Sequence, residues 1–138
     1  VLRPQQTLFN FSAIILHKLR HGMTGRFVSM TGLKNISKAE VLTLKDEVAY
    51  QKGQVVSKTL AQNAALSVTL FSFDKGEEIS THESGGDAFV TCLDGVGRIT
   101  IDGKEYLLRE GESIVMPARH PHAVYGQEPF KMLLVVVF

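Results

Sequence analysis

Cysteine is almost missing from this sequence. Cys92 is the only one among 138 residues, so no disulfide can form within the chain and burial and hydrogen bonding must hold the fold. A single thiol fits a reducing, cytoplasmic compartment. Long hydrophobic runs are missing too. No stretch approaches the roughly 20 apolar residues of a bilayer-spanning helix, so no segment reads as one. Acidic residues are missing from one place only. Positions 1–38 hold Arg3, Lys18, Arg20, Arg26, Lys34 and Lys38, and no Asp or Glu. The remaining residues carry nine of the 15 basic side chains and all 14 acidic ones, a balance of −5 beneath an overall charge of +1. A nucleic-acid-binding domain needs the opposite sign. Neither nucleic acid nor membrane is therefore an expected partner.

What is present is ordinary for one globular domain: 44% hydrophobic and 21% charged residues, enough for a core without staples. Two parts differ in character. In "TLFNFSAIILHKLR" the residues Leu8, Phe11, Ile15 and Leu19 recur at steps of three and four, a helical spacing. Thr7 caps such a helix and Gly22 ends it. Residues 1–38 are read as a basic extension, helical or disordered. A targeting leader, a docking helix and an upstream extension with a start at Met23 or Met30 all stay open.

From about Val41 the pattern changes to short strands, and residues 39–138 are read as one β domain. "EVLTL", "QVVSKTL", "LSVTLFSF", "AFVTCL", "GRITI", "KEYLL", "SIVMP", "HAVY" and "FKMLLVVVF" are rich in β-branched and aromatic residues. Turn signals separate them at Asp74–Gly76, Gly85–Gly86, Asp94–Gly95, Asp102–Gly103 and Glu110–Gly111. "RITIDGKEYLL" is the clearest piece, because Asp-Gly between alternating runs favours a two-residue type I′ hairpin. About ten short strands with regular turns predict an all-β barrel or sandwich. The last run, "MLLVVVF", is apolar on both faces, so it belongs at the centre of a sheet or at an interface.

Two spacings carry chemistry. Gly76 is followed by His82, Ser84, Ala88 and Gly95, and Gly111 by Pro117, Arg119, His122 and Gly126. These resemble the two motifs of the cupins, G-x5-H-x-H-x3-E-x6-G and G-x5-P-x-G-x2-H-x3-N. The resemblance covers roughly residues 40–138 and looks most like the small one-domain conserved-barrel proteins (cupin 2 type). It implies a double-stranded β-helix, or jelly-roll, barrel and a homodimer. In metal-binding members the positions of His82, Ser84, Ala88 and His122 supply three histidines and one glutamate to a divalent iron, manganese, zinc or nickel ion. Here Ser84 replaces the second histidine, Ala88 the glutamate, Arg119 the second motif's glycine and Gly126 its asparagine. Two neutral imidazoles hold a metal weakly unless other groups complete the shell. His120, or Asp87 through a bulge at Gly85–Gly86, is the candidate to do so.

Side chains alternate across a strand, so positions 82, 84 and 88 can share the barrel's inner face, with Val90 and Cys92 following. The expected ligand pocket is His82, Ser84, Ala88, Cys92, Met116 and His122, small, partly apolar and short of carboxylates. The bland alternative for the two histidines is satisfaction by backbone carbonyls. Cys92 is more often a buried hydrophobe than a nucleophile, and Arg119 at the rim is either an anion contact or a solvated loop residue. Three functions follow. The first is a small-molecule-binding cupin with a degenerate metal site. The second is a metal-dependent enzyme, a dioxygenase or isomerase of a small substrate. The third is a structural dimerisation barrel.

Overall fold

The computed structural model describes residues 32–138. The helix expected over residues 7–20, and the basic extension through residue 31, lie outside the described residues. Seven strands follow a 3₁₀ turn at Leu44–Glu47: β1 (Val55–Gln62), β2 (Leu66–Phe73), β3 (Glu78–His82), β4 (Asp87–Ile101), β5 (Lys104–Arg109), β6 (Ser113–Met116) and β7 (His122–Val137). All pair antiparallel, in the order β1-β2-β7-β4-β5, with β3 added to β7 and β6 to β4.

The long strands β4 and β7 make the jelly roll. The first half of β7 lies between β3 and the second half of β4; its second half lies between β2 and the first half of β4. Each long strand therefore serves both sheets, and the two sheets close over one interior. "MLLVVVF" sits centrally between β2 and β4, where its two apolar faces have use. The Asp102–Gly103 hairpin forms as expected, with φ of 51° and 80° and Ile101 opposite Lys104.

Three expectations change. "EVLTL" is not a strand: it leads into the 3₁₀ turn, and Val41 is fully exposed. "AFVTCL" and "GRITI" are one strand, as are "HAVY" and "FKMLLVVVF". Asp94–Gly95 is a ladder irregularity instead of a turn, opposite the stretch at Pro129 where β7 also breaks register. A Cβ on Gly95 would lie 1.6 Å from the Pro129 carbonyl oxygen, so the two chains run through at a distance only glycine permits. Strand β3 went unread because "EISTH" has one apolar residue, Ile79, and only that one is buried.

The core has two parts because β2 is buried on both faces. Its odd positions Phe71 and Phe73 join Val90, Cys92, Ile99, Val124, Phe130 and Met132 inside the barrel. Phe73 packs against Phe71 and Phe130 at centroid distances of 6.1 and 5.5 Å, and burying each ring contributes about 1.5–3 kcal/mol. Leu70 faces the other way, with Leu60 and Val48. Residues 34–50 cover that outer cluster as a strap. Lys34 N–H donates to the Leu60 carbonyl at 2.8 Å. Ser72 Oγ donates to the Ala49 carbonyl at 2.7 Å, and the Tyr50 hydroxyl to Asp94 Oδ2 at 2.6 Å.

Candidate functional site

His82 ends β3, His122 begins β7, and the two are register partners. The ladder slips by one residue between Ile79 and His82, which lets Ile79 and His82 both turn inward despite their three-residue spacing. His122 is 2% exposed and His82 half-buried. The rings meet edge to face, 72° apart with centroids at 4.4 Å, and their Nε2 atoms are 3.1 Å apart. Each Nδ1 faces a backbone carbonyl: Ser80 O lies 2.8 Å from His82 and His120 O 3.0 Å from His122. Burial, and then the neighbouring His82, hold His122 below its usual pKa of 6.5 against the opposing pull of the His120 carbonyl.

The other expected site residues have separate positions. Ser84 Oγ donates to the Gly86 carbonyl at 2.8 Å and accepts from Gly86 N–H at 3.2 Å, so it is engaged in its own turn. Ala88 and Met116 are cross-strand partners and, with Cys92, belong to the apolar interior. Burial pushes the Cys92 thiol up to about 11, and its Sγ lies 3.4 Å from the Asp94 carbonyl. Among the described residues its hydrogen-bond partners are the Asp94 and Gly95 carbonyls, and no base. Asp87 is exposed and accepts from Ala118 N–H at 2.8 Å. His120 is drawn to the hairpin turn by Asp102, 2.6 Å away. Arg119 is exposed at φ 63°, the left-handed region where the motif has glycine. Gly126 stands where the motif has asparagine, and a Cβ there would lie 2.8 Å from the Asp74 carbonyl oxygen.

A resident metal of the three-histidine, one-glutamate kind does not fit this donor set. Two imidazole nitrogens converge; the carboxylate position is a methyl group, and Ser84, Asp87 and His120 are each engaged elsewhere. Among the described residues, no three His, Cys, Asp or Glu side chains form a metal-holding group. Two features went unread in the sequence. The carbonyls of Ser80 and His120 orient the rings, but a backbone group has no residue signature. Thr69 Oγ1 is the one buried side-chain polar atom without a partner among the described residues; by alternation it faces the interior with Phe71 and Phe73.

Fold and site together define a jelly-roll barrel in which two histidines meet. Residues 69–137 match the Cupin domain family, Cupin_2. A conserved protein of unknown function from Streptococcus pyogenes is 51% identical, with a TM-score of 0.76 over 79% of this chain and 96% of that one. A cupin superfamily protein from Desulfitobacterium hafniense is 34% identical, with a TM-score of 0.74 over 77% and 97%. The likeness extends to an enzyme, salicylate 1,2-dioxygenase from Pseudoaminobacter salicylatoxidans. At 17% identity and a TM-score of 0.57, over 68% of this chain and 30% of that one, it shows the shared fold alone. No curated protein sequence matches the chain. The chain belongs to the cupin family.

Proposed function

We propose that this cupin binds a small molecule at the His82–His122 pair, in place of the metal centre that its missing ligand residues would have completed. The observation that carries the reading is the approach of two Nε2 atoms to 3.1 Å of each other, in a barrel whose interior includes Ala88, Met116 and Cys92. Polar atoms fixed against an apolar wall are what a small-ligand site needs. Binding at this pair requires no third protein ligand.

Elemental analysis of the purified full chain tests it. The expected result is metal far below one equivalent, after incubation with iron, manganese, zinc or nickel as well as before. Near-stoichiometric metal that disappears in His82→Ala would overturn the proposal in favour of a metal-dependent enzyme. A homodimer belongs to the same proposal. Its support is the outer row in which Phe89 on β4 stands between Val115 on β6 and Val135 on β7, with Val137 two places along. Phe89, Val115 and Val137 are 44%, 47% and 56% exposed, and a row of adjoining exposed apolar side chains is the kind of surface that marks an interaction site.

A further inference from the structure

We infer that Asp102 is a positioning residue for the His82–His122 pair, acting through His120 to fix which nitrogen of His122 carries the proton. This role rests on the binding proposed for the pair; its test reads the ring alone. The hairpin turn does not itself ask for a carboxylate. Asp102 and Gly103 reverse the chain at φ 51° and 80°, and asparagine or glycine meets that demand as well as aspartate. Yet the carboxylate is used: His120 Nδ1–H donates to Asp102 Oδ2 at 2.6 Å. Both side chains are half-exposed, and an ion pair in that setting contributes little to stability. What it supplies is geometry.

A second bond from the same residue completes the hold. Asp102 N–H donates to the Pro121 carbonyl at 2.9 Å. The two bonds fall on either side of one peptide unit, the unit that joins His120 to Pro121 and carries the His120 carbonyl. The proline ring fixes φ at its far end. That plane has little freedom to turn, and its oxygen faces His122 Nδ1 at 3.0 Å. A carbonyl oxygen only accepts a hydrogen bond. The contact therefore puts the proton of a neutral His122 on Nδ1. Its Nε2, 3.1 Å from His82 Nε2, is left as an acceptor. A plane free to rotate would let that proton sit on either nitrogen.

The loop between β6 and β7 is tied on its other flank as well. Arg119 N–H donates to the Ser84 carbonyl at 2.8 Å, and Ala118 N–H to Asp87 Oδ1 at 2.8 Å. Those bonds end before His120, so they hold the loop and not the peptide plane. Asp87 is therefore the natural comparison: a carboxylate on the same loop with no bond to the plane.

The test uses the full chain labelled with ¹⁵N at one pH near neutrality, with the folding of each variant checked by circular dichroism. Imidazole ¹⁵N spectra report the ratio of Nδ1–H to Nε2–H on His122, and Nδ1–H should dominate. Asp102→Gly keeps the turn and removes the carboxylate; the ratio should fall about fivefold or more, the worth of one ordinary hydrogen bond. Asp102→Asn keeps an acceptor in the same place and should stay within about twofold of the unsubstituted chain, as should Asp87→Ala. A dominant Nε2–H on His122 in the unsubstituted chain, or an unchanged ratio in Asp102→Gly, would overturn the inference. An equal fall in Asp87→Ala would trace the effect to the loop as a whole, and an equal fall in Asp102→Asn would trace it to charge; either also overturns it. Elemental analysis decides the binding role separately, so each can fail alone.

Discussion

His122 and Thr69 are the two interior polar side chains whose surroundings make measurable demands. The pKa of His122 is lower in the fold than the 6.5 of an exposed ring. Between those two values the unfolded chain binds more protons than the folded one, so stability rises with pH. Its contribution is complete above about 6.5 and is lost as pH falls below that value. Thermal unfolding from neutral pH downward should therefore show a falling Tm, and His122→Gln should flatten that fall. An unchanged slope in the variant would place the sensitivity elsewhere. Thr69 keeps a buried hydroxyl with no partner among the described residues, and such a group costs about 1–3 kcal/mol of desolvation. Thr69→Val retains the shape and removes the hydroxyl. Urea unfolding should report a gain of about 1 kcal/mol; a loss would mean that the hydroxyl is satisfied.

Among the elements, the β4–β7 crossing makes the sharpest demand on sequence. Gly95 has φ 72° and its α-carbon abuts the Pro129 carbonyl. Gly95→Ala must move a paired backbone, and the expected loss is about 3 kcal/mol or more by denaturant unfolding. Gly103, with φ 80° and open space around it, is the control. Gly103→Ala should cost only about 1–2 kcal/mol, the strain of the left-handed conformation. The same crossing explains why the hairpin was legible and the long strands were not. Asp102–Gly103 reverses the chain by local dihedrals alone, which its two residues announce. Asp94–Gly95 carries the same dipeptide, and what stops it from turning is β7, distant in sequence and pressed against it.

The assembly is decided at the scale of the whole molecule. A second copy on the Phe89–Val115–Val135–Val137 face would remove that apolar row from water. Light scattering of the full chain should give twice its 15.2 kDa mass, and Phe89→Glu should return it to a monomer with an unchanged circular dichroism spectrum. A monomer in the unsubstituted chain would overturn the dimer and leave the barrel intact. The outer cluster of Val48, Leu60 and Leu70 already has its cover, because residues 34–50 lie over it. That cover was not visible in the sequence: the strap was read partly as strand, since a segment held by scattered polar bonds and two or three apolar contacts has no period to find.

The sequence by itself determined the all-β class, the hairpin at Asp102–Gly103, the inward parity of Ala88, Val90 and Cys92, and the pairing of His82 with His122 as the residues to watch. Each of these is a matter of local dihedral preference, strand alternation or motif spacing. Only the tertiary structure decided that the two Nε2 atoms approach to 3.1 Å while each Nδ1 faces a backbone carbonyl, since this depends on a register slip in β3 and on the loop before β7. It also decided which nearby polar groups are absent from the centre. Ser84, Asp87 and His120 lie within six residues of one histidine or the other along the chain, yet each is bound to a partner that folding places closer.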